Sequence, residues 1–422
     1  MAKIKSIKAQ EILDSRGNPT IQTQVILDDG AIGISSVPSG LSVGKYEAVE
    51  LRDKDTGRFG GLGVLKATAN VNDKISPKLV GMEAGDQRNI DHTMVTLDGT
   101  SNKVSLGANS ILSVSQAVCK AAAFSQKMSL YRYINNLGKA FNLPTSIEKM
   151  PTPTFNILNG GRHGAGNLDI QEFMVIPPTS KSYHEGLELG VAVYNALRQV
   201  LINKNAIHSL GDEGGFAPNL FNNVDALEIL REAILKLNIR LGYDIFLGLD
   251  SAANNFMSGN SYKLKDRPTP FSTAELVNYY KELNNQYKLL LLEDPFGEDD
   301  WDGWIKLSQE LENLVVIVGD DLIATNPERL KLAVSKKAVT GVLVKPNQIG
   351  TVTEVLWLVE QAKKNNITTI VSHRSGETND TFIADLAIAV AADYVKFGAP
   401  ARGERVAKYN RLLEIERELF ND

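Results

Sequence analysis

Six short apolar runs in the second half of the chain end on polar or charged residues: Asp250, Glu293, Asp320, Lys345, His373 and Lys396. They are spaced 43, 27, 25, 28 and 23 residues apart, about one strand-plus-helix unit each. Taken singly, Asp250, Glu293 or Asp320 could cap the helix that follows it, as Asp250 could in "DSAANN". Three carboxylates on successive strands would repel one another, so together they favour a divalent cation, and their hard oxygens suit Mg2+. Lys345 comes next, at the end of "TGVLVKP". Such a lysine either extends to water or, partly desolvated beside cations, has a lowered pKa and serves as a general base. Lys396 is a candidate for that neighbouring cation, or for a carboxylate binder.

Other stretches carry weaker signals. "SHRSG" sets His373, Arg374 and Ser375 together at a strand end, where an arginine fork and a hydroxyl suit phosphate or carboxylate. "GDEGGFAPN" places Asp212 and Glu213 in a glycine-rich turn, either an acid–base pair or a solvated turn. "NGGRHGAGNLDIQEF" brings His163, Gln171 and Glu172 after a glycine cluster, without the strand-to-helix context of a dinucleotide fingerprint. "PSGLSVGKYE" approaches two known patterns and fits neither. Pro38 and Ser39 interrupt the strand that a nucleophile elbow needs, and Tyr46 stands where a phosphate loop needs Ser or Thr. It reads better as a loop that folds over a site.

The elements that must position these residues fall into two groups. In "TIQTQVILDDGAIGISSV", Ile21, Thr23, Val25 and Leu27 alternate and "DDG" supplies a turn, predicting a β-meander. "LKATANVNDKISPKLV" and "GANSILSVSQAVCKAAAFSQKM" predict helices. Pro144, Pro151 and Pro153 then mark a boundary, dividing the chain into an N-terminal α+β domain, 1–138, and a C-terminal domain, 139–422. Beyond it "DIFLGLD", "YKLLLLED", "NLVVIVGDD", "TGVLVKP", "ITTIVSHRS" and "DYVKFG" alternate with helical patterns such as "TVTEVLWLVEQAKKNN". Nearly continuous apolar strands between helices mean a parallel sheet covered on both faces. "PTFNILNG" and "EFMVIPP" bring the strands to eight, the number that closes an α/β barrel of the TIM type. An open doubly wound sheet is the alternative. In a barrel, the six strand-end residues converge at one rim, where active sites form.

Composition excludes several classes. The 422 residues are 43% hydrophobic and carry a net charge of −5, a balance that points to neither a nucleic-acid nor a membrane partner. Cys119 is the one cysteine, so there is no disulfide framework, and its apolar helical setting reads as an inert core thiol. "MAKIKSIKAQEIL" has no apolar run like a signal peptide, and "LLLL" at 289–292 is too short to span a bilayer.

As a set, "PSG", "LDGTSNK", "LGAN", "QEFM", "GDEGGFAPN", "EDPF", "GDDL", "KPNQIGT", "SHRSGET" and "ERVAKYN" resemble the enolase family, from the meander to the last helix. The resemblance implies a modified barrel opening ββαα before six βα units, and Mg2+-dependent dehydration of 2-phosphoglycerate to phosphoenolpyruvate. It implies Lys345 as general base and Glu213 as general acid. Asp250, Glu293 and Asp320 would hold the tighter Mg2+, with Ser39 joining a second that arrives with substrate. Arg374 and Ser375 would hold phosphate, Lys396 the substrate carboxylate, and His163, Gln171, Glu172 and His373 the pocket wall. A cytoplasmic homodimer or octamer is implied, with a secondary cell-surface presence open to it. The chain departs from the family pattern at Leu41, Val43 and Phe397 and within "NGGRHGAGN". A rival lyase or racemase of the same superfamily would place K-x-K on an early barrel strand, where this chain has "QEFMVIPP". A binding protein on the same fold should have lost charged site residues, and none is lost.

Overall fold

The computed structural model describes residues 2–40, 44–143, 147, 149–164, 168–311 and 313–420. Leu41 and Val43, Pro144 of the expected boundary, and the last three residues of "NGGRHGAGN" lie outside them.

Three antiparallel strands open the chain: β1 (Ile4–Leu13), β2 (Pro19–Leu27) and β3 (Ile32–Ser36), in that order across the sheet. The expected alternation is present, with Ile21, Thr23, Val25 and Leu27 buried. β1 was not anticipated; a register shift between Ile4 and Ser6 puts Ile4 and Ile7 on the buried side three residues apart, which breaks the period-two pattern. The predicted helix from Leu65 runs to Leu79 with a π-helical stretch over Asn70–Ile75. Pro77 lacks the N–H that would bond back to Asp73, so the regular ladder cannot continue there. Helices α1 (Gln87–Asp98), α2 (Ala108–Ser125) and α3 (Leu130–Gly138) complete this part, and α2 packs on β2 and β3. Cys119 is fully buried in α2, and burial pushes its thiol well above the usual range, so it is inert as expected.

The remainder is a closed barrel, which removes the open-sheet alternative. Strands β4 (Thr152–Asn159) and β5 (Glu172–Ile176) precede helices α4 (Tyr183–Asn203) and α5 (Asn223–Leu235). Then β6 (Phe246–Asp250), β7 (Leu289–Glu293), β8 (Val316–Gly319), β9 (Gly341–Val344), β10 (Thr368–Ser372) and β11 (Tyr394–Lys396) alternate with helices. Those helices are α6 (Thr273–Tyr287), α7 (Trp301–Leu311), α8 (Pro327–Ser335), α9 (Val352–Lys364), α10 (Phe382–Ala389) and α11 (Gly403–Phe420). β5 runs antiparallel to both β4 and β6, and the other pairings are parallel, giving the ββαα(βα)6 order. Met174, Ile176, Leu291, Val318, Leu343 and Ile370 form a buried cluster from alternate positions of five strands, so the barrel is packed rather than hollow. Among the described residues no helix is long and apolar enough to cross a membrane.

Candidate active site

Strand register puts the charged residues at one rim. Asp250 is the register partner of both Glu293 and Glu172, and Ser372 is that of Lys396. One cavity there is lined by His163, Gln171, Glu172, Glu213, Asp250, Asp320, Lys345, His373, Arg374, Ser375 and Lys396. Glu293 is fully buried beneath it. Lys396 Nζ lies 2.7 Å from Glu293, 3.1 Å from Glu172 and 3.2 Å from Asp250. Burial acts to lower its pKa, but the three carboxylates raise it well above the usual lysine value. Lys345 Nζ pairs with Asp320 Oδ2. The lowered Lys345 pKa expected from neighbouring cations is not found here. Burial pulls it down, yet the Asp320 carboxylate more than compensates and the net direction is up.

The acid–base cluster sits beside this pair. Glu213 is buried and accepts from Asn156 Nδ2 (2.9 Å), with His373 Nε2 at 3.3 Å and His163 Nδ1 at 3.4 Å. His163 Nδ1 is also 3.4 Å from Glu172. Burial raises the Glu213 pKa, but the two histidines outweigh it and hold the carboxyl well below the usual range. Glu172 goes the other way, to about 7, because burial and the Glu213 charge exceed the pull of Lys396. His163 is raised against its burial by Glu213 and Glu172, so the titration of these three groups is coupled. Asp212 does not line the cavity, although the sequence sets it beside Glu213; its backbone carbonyl accepts from Arg405.

Arg374 is buried and bonded by Nη1 and Nη2 to the Glu47 carboxylate (2.8 and 3.2 Å), with Asn347 Oδ1 at 3.2 Å. Gln171 Nε2 donates to Asp250 (3.3 Å). Ser39 does not line the cavity. Its hydroxyl accepts from Arg52 Nη2 (2.7 Å) and donates to Glu50 (3.2 Å), while its backbone bridges Gly376 in both directions.

Residues 4–134 match the family model described as "Enolase, N-terminal domain", and 147–422 match "Enolase, C-terminal TIM barrel domain". The enolase of Acidothermus cellulolyticus is 49% identical over 419 residues, covering 99% of this chain and 95% of the relative. The chain belongs to the enolase family. It is a hydro-lyase of glycolysis, acting on a small-molecule substrate with a divalent metal.

The residues present fit an enolase metal. Glu293 Oε1 is buried without a hydrogen-bond partner among the described residues. Burial and the charges of Asp250 and Asp320 push the Glu293 pKa well up, the signature of an under-compensated anion. The Lys396 ammonium, among Asp250, Glu293 and Glu172, is a stand-in for a cation. Asp294, Asp320 and Asp321 also bring one oxygen each within 4.8 Å of the others, as do ligand atoms of His163, Glu172 and Glu213. Asp294 is the poorer ligand. Both its oxygens accept backbone N–H bonds, from Asp320 (2.9 Å) and Asp321 (2.8 Å), and burial raises its pKa well above the usual range.

Asp294, Glu47, Gln348, Asn156 and Arg405 are the supporting residues that sequence reasoning did not assign. Asp294 clamps the turn carrying Asp320. Gln348 donates to Asp320 Oδ1 (3.0 Å) and accepts from Thr325 (2.6 Å), whose hydroxyl oxygen accepts the Lys345 N–H (2.9 Å). Asp294, Gln348 and Arg405 stand inside "EDPF", "KPNQIGT" and "ERVAKYN", so the signal was their membership of those blocks.

Proposed function

We propose that this enolase-family chain converts 2-phosphoglycerate to phosphoenolpyruvate with Lys345 as general base and Glu213 as general acid. The observation that carries the assignment is that both line one cavity, together with Arg374, Lys396 and the carboxylates. Asp250, Glu293 and Asp320 would hold the tighter Mg2+, and Ser39 a second that arrives with substrate. Bound there, Mg2+ supplies electrophilic charge that makes the weakly acidic C2 position removable. Were the Asp320 and Glu293 charges so engaged, Lys345 would lose the partners that raise its pKa, and burial with Arg374 and Lys396 would act to lower it.

Lys345 Nζ takes the C2 proton, and the C–H electron pair passes into the substrate carboxylate. That pair then forms the C2–C3 double bond as the C3–O bond breaks. The departing hydroxide takes a proton from Glu213 and leaves as water. Arg374 and Ser375 hold the phosphate, and Lys396 turns from its three carboxylates to the substrate's. His163 and Glu172, with His163 Nδ1 3.4 Å from both Glu172 and Glu213, stand where they can return a proton to Glu213, while Gln171 and His373 hold the wall. The same reading makes the protein a cytoplasmic homodimer or octamer, divided into domains near residue 138.

The test follows the ultraviolet absorbance of phosphoenolpyruvate when purified protein meets 2-phosphoglycerate and Mg2+. Turnover is expected, and it should vanish with EDTA and in Lys345→Ala. Undiminished turnover by Lys345→Ala would remove the base from Lys345.

A further inference from the structure

Arg405, on α11, has no solvent exposure, and its guanidinium is aimed at the acid–base cluster from behind. Nη1 donates to His373 Nδ1 and to the Arg374 carbonyl, both at 2.6 Å. Nη2 donates to the carbonyls of Ser375 (2.6 Å) and Asp212 (3.1 Å). One side chain thus ties the 373–375 turn to the 212–213 turn.

A guanidinium has donors and no acceptor, so the ring nitrogen facing Arg405 must offer a lone pair. In a neutral imidazole the hydrogen is then on Nε2. Nε2 faces Glu213 Oε2 at 3.3 Å, the same oxygen that accepts from Asn156 at 2.9 Å. Two donors converge on Oε2, while Oε1 faces His163 Nδ1 at 3.4 Å. A proton on Oε2 would collide with those donors. We infer that Arg405 is a positioning residue for the dehydration: it fixes the Nε2–H tautomer of His373, and so directs the acidic proton of Glu213 to Oε1. The proton reaches Oε1 from the His163 side and leaves it for the departing hydroxyl, so His373 orients the acid without receiving its proton. The burial that pulls His373 down to about 3, reinforced by Arg405, agrees with a ring that stays neutral.

This inference rests on Glu213 being the acid, and the experiment separates the two. The chain has five histidines, so 15N-histidine spectra of the intact protein are sparse, and His373→Gln identifies the His373 signals. The expected result is a neutral His373 ring with Nδ1 unprotonated and Nε2 protonated, unchanged from pH 6 to 8. A hydrogen on Nδ1, or a doubly protonated ring, would overturn the inference, and this readout needs no Arg405 variant to fold. Arg405→Met, which keeps bulk without donors, should lose the tautomer. Its kcat for dehydration should fall by at least about tenfold, with KM within about threefold. Exchange of the substrate C2 hydrogen with solvent, the work of Lys345, should persist. Arg405→Lys, which retains a donor, should recover the tautomer and part of kcat. Glu213→Gln is the control: full dehydration by it would sink the acid assignment itself. Loss there, with Arg405→Met unaffected in tautomer and kcat, would sink only the role of Arg405.

Discussion

Replacing Lys396 by Met isolates the charge that stands among the rim carboxylates. Met keeps the length and apolar stem of the side chain and removes the ammonium that lies 2.7–3.2 Å from Glu293, Glu172 and Asp250. Lys396 is buried, so solvent cannot compensate, and removing one partner of a buried ion pair costs about 3–5 kcal/mol. Part of that loss is recoverable by protonation. Glu293 and Glu172 already have raised pKa values, Glu172 at about 7, and without the ammonium both rise further. The native variant then binds more protons than its unfolded chain, so the destabilisation should grow as pH rises through and above 7. The assay is urea or thermal unfolding of both proteins in EDTA at pH 6 and pH 8.5, repeated with Mg2+. In EDTA at pH 8.5 the variant should fall by the full amount, and at pH 6 by less. Mg2+ should stabilise the variant more than the wild type, because the competing ammonium is gone; occupancy at a hundred times Kd adds about 2.7 kcal/mol. Equal stability of the two proteins in EDTA at pH 8.5 would refute the reasoning. So would equal stabilisation of both by Mg2+.

Two further perturbations test the frame around the site. Asp91 is buried on α1 and accepts the Thr353 N–H at the start of α9 (3.0 Å); burial raises its pKa from 3.8 to about 6. Between those values the native state holds a proton that the unfolded state lacks, so this group withdraws about 3 kcal/mol of stability as pH rises from about 4 to about 6. Asp91→Asn should flatten that part of the stability–pH curve, and parallel curves for the two proteins would contradict it. Gly33→Ala places a Cβ 2.0 Å from the Ala117 carbonyl and 2.4 Å from the Ala121 nitrogen, backbone atoms that cannot turn aside. It should cost about 3 kcal/mol by urea midpoint, and a loss within error would mean that β3 and α2 separate freely.

What the sequence disclosed follows from how each feature is written in it. Strands β6 to β11 are legible because both faces are covered, so each appears as an unbroken apolar run with its chemistry at the end. β1 is illegible because its register shift defeats alternation, leaving Ile4 and Ile7 at an uninformative spacing. The reversal of β5 leaves no trace in periodicity, since a strand reads the same in either direction; only the resemblance implied it. The supporting residues were hidden for another reason. Glu47 meets Arg374 across 327 residues, and Asn156 meets Glu213 across 57, so neither has a local spacing to betray it. The lowered Lys345 pKa was expected beside cations, but spacing gives the order of charges around a barrel, not which one comes closest, and the Asp320 carboxylate is the nearest. Lys345 follows β9, beside the Asp320 strand in the sheet, and the nearest charge wins at these separations.

Why the N-terminal part belongs to the chemistry follows from the same distances. Glu47 accepts the Gly44 N–H (2.9 Å), holds both terminal nitrogens of Arg374, and lies 3.4 Å from the amide of Gln348. Gln348 in turn donates to Asp320, the partner of Lys345. A segment that is not part of the barrel therefore contacts the expected phosphate arginine directly, and the proposed base through two side chains. Ser39 and Gly376 bridge the same two regions by reciprocal backbone bonds of 2.7 and 2.9 Å. A barrel alone would present its strand-end charges to water, where ion pairs of this kind contribute little. With Ser39, Gly44 and Glu47 packed over them, the same charges are buried. There a neighbouring carboxylate raises a lysine against its burial, and engagement of that carboxylate by a cation would take that effect away.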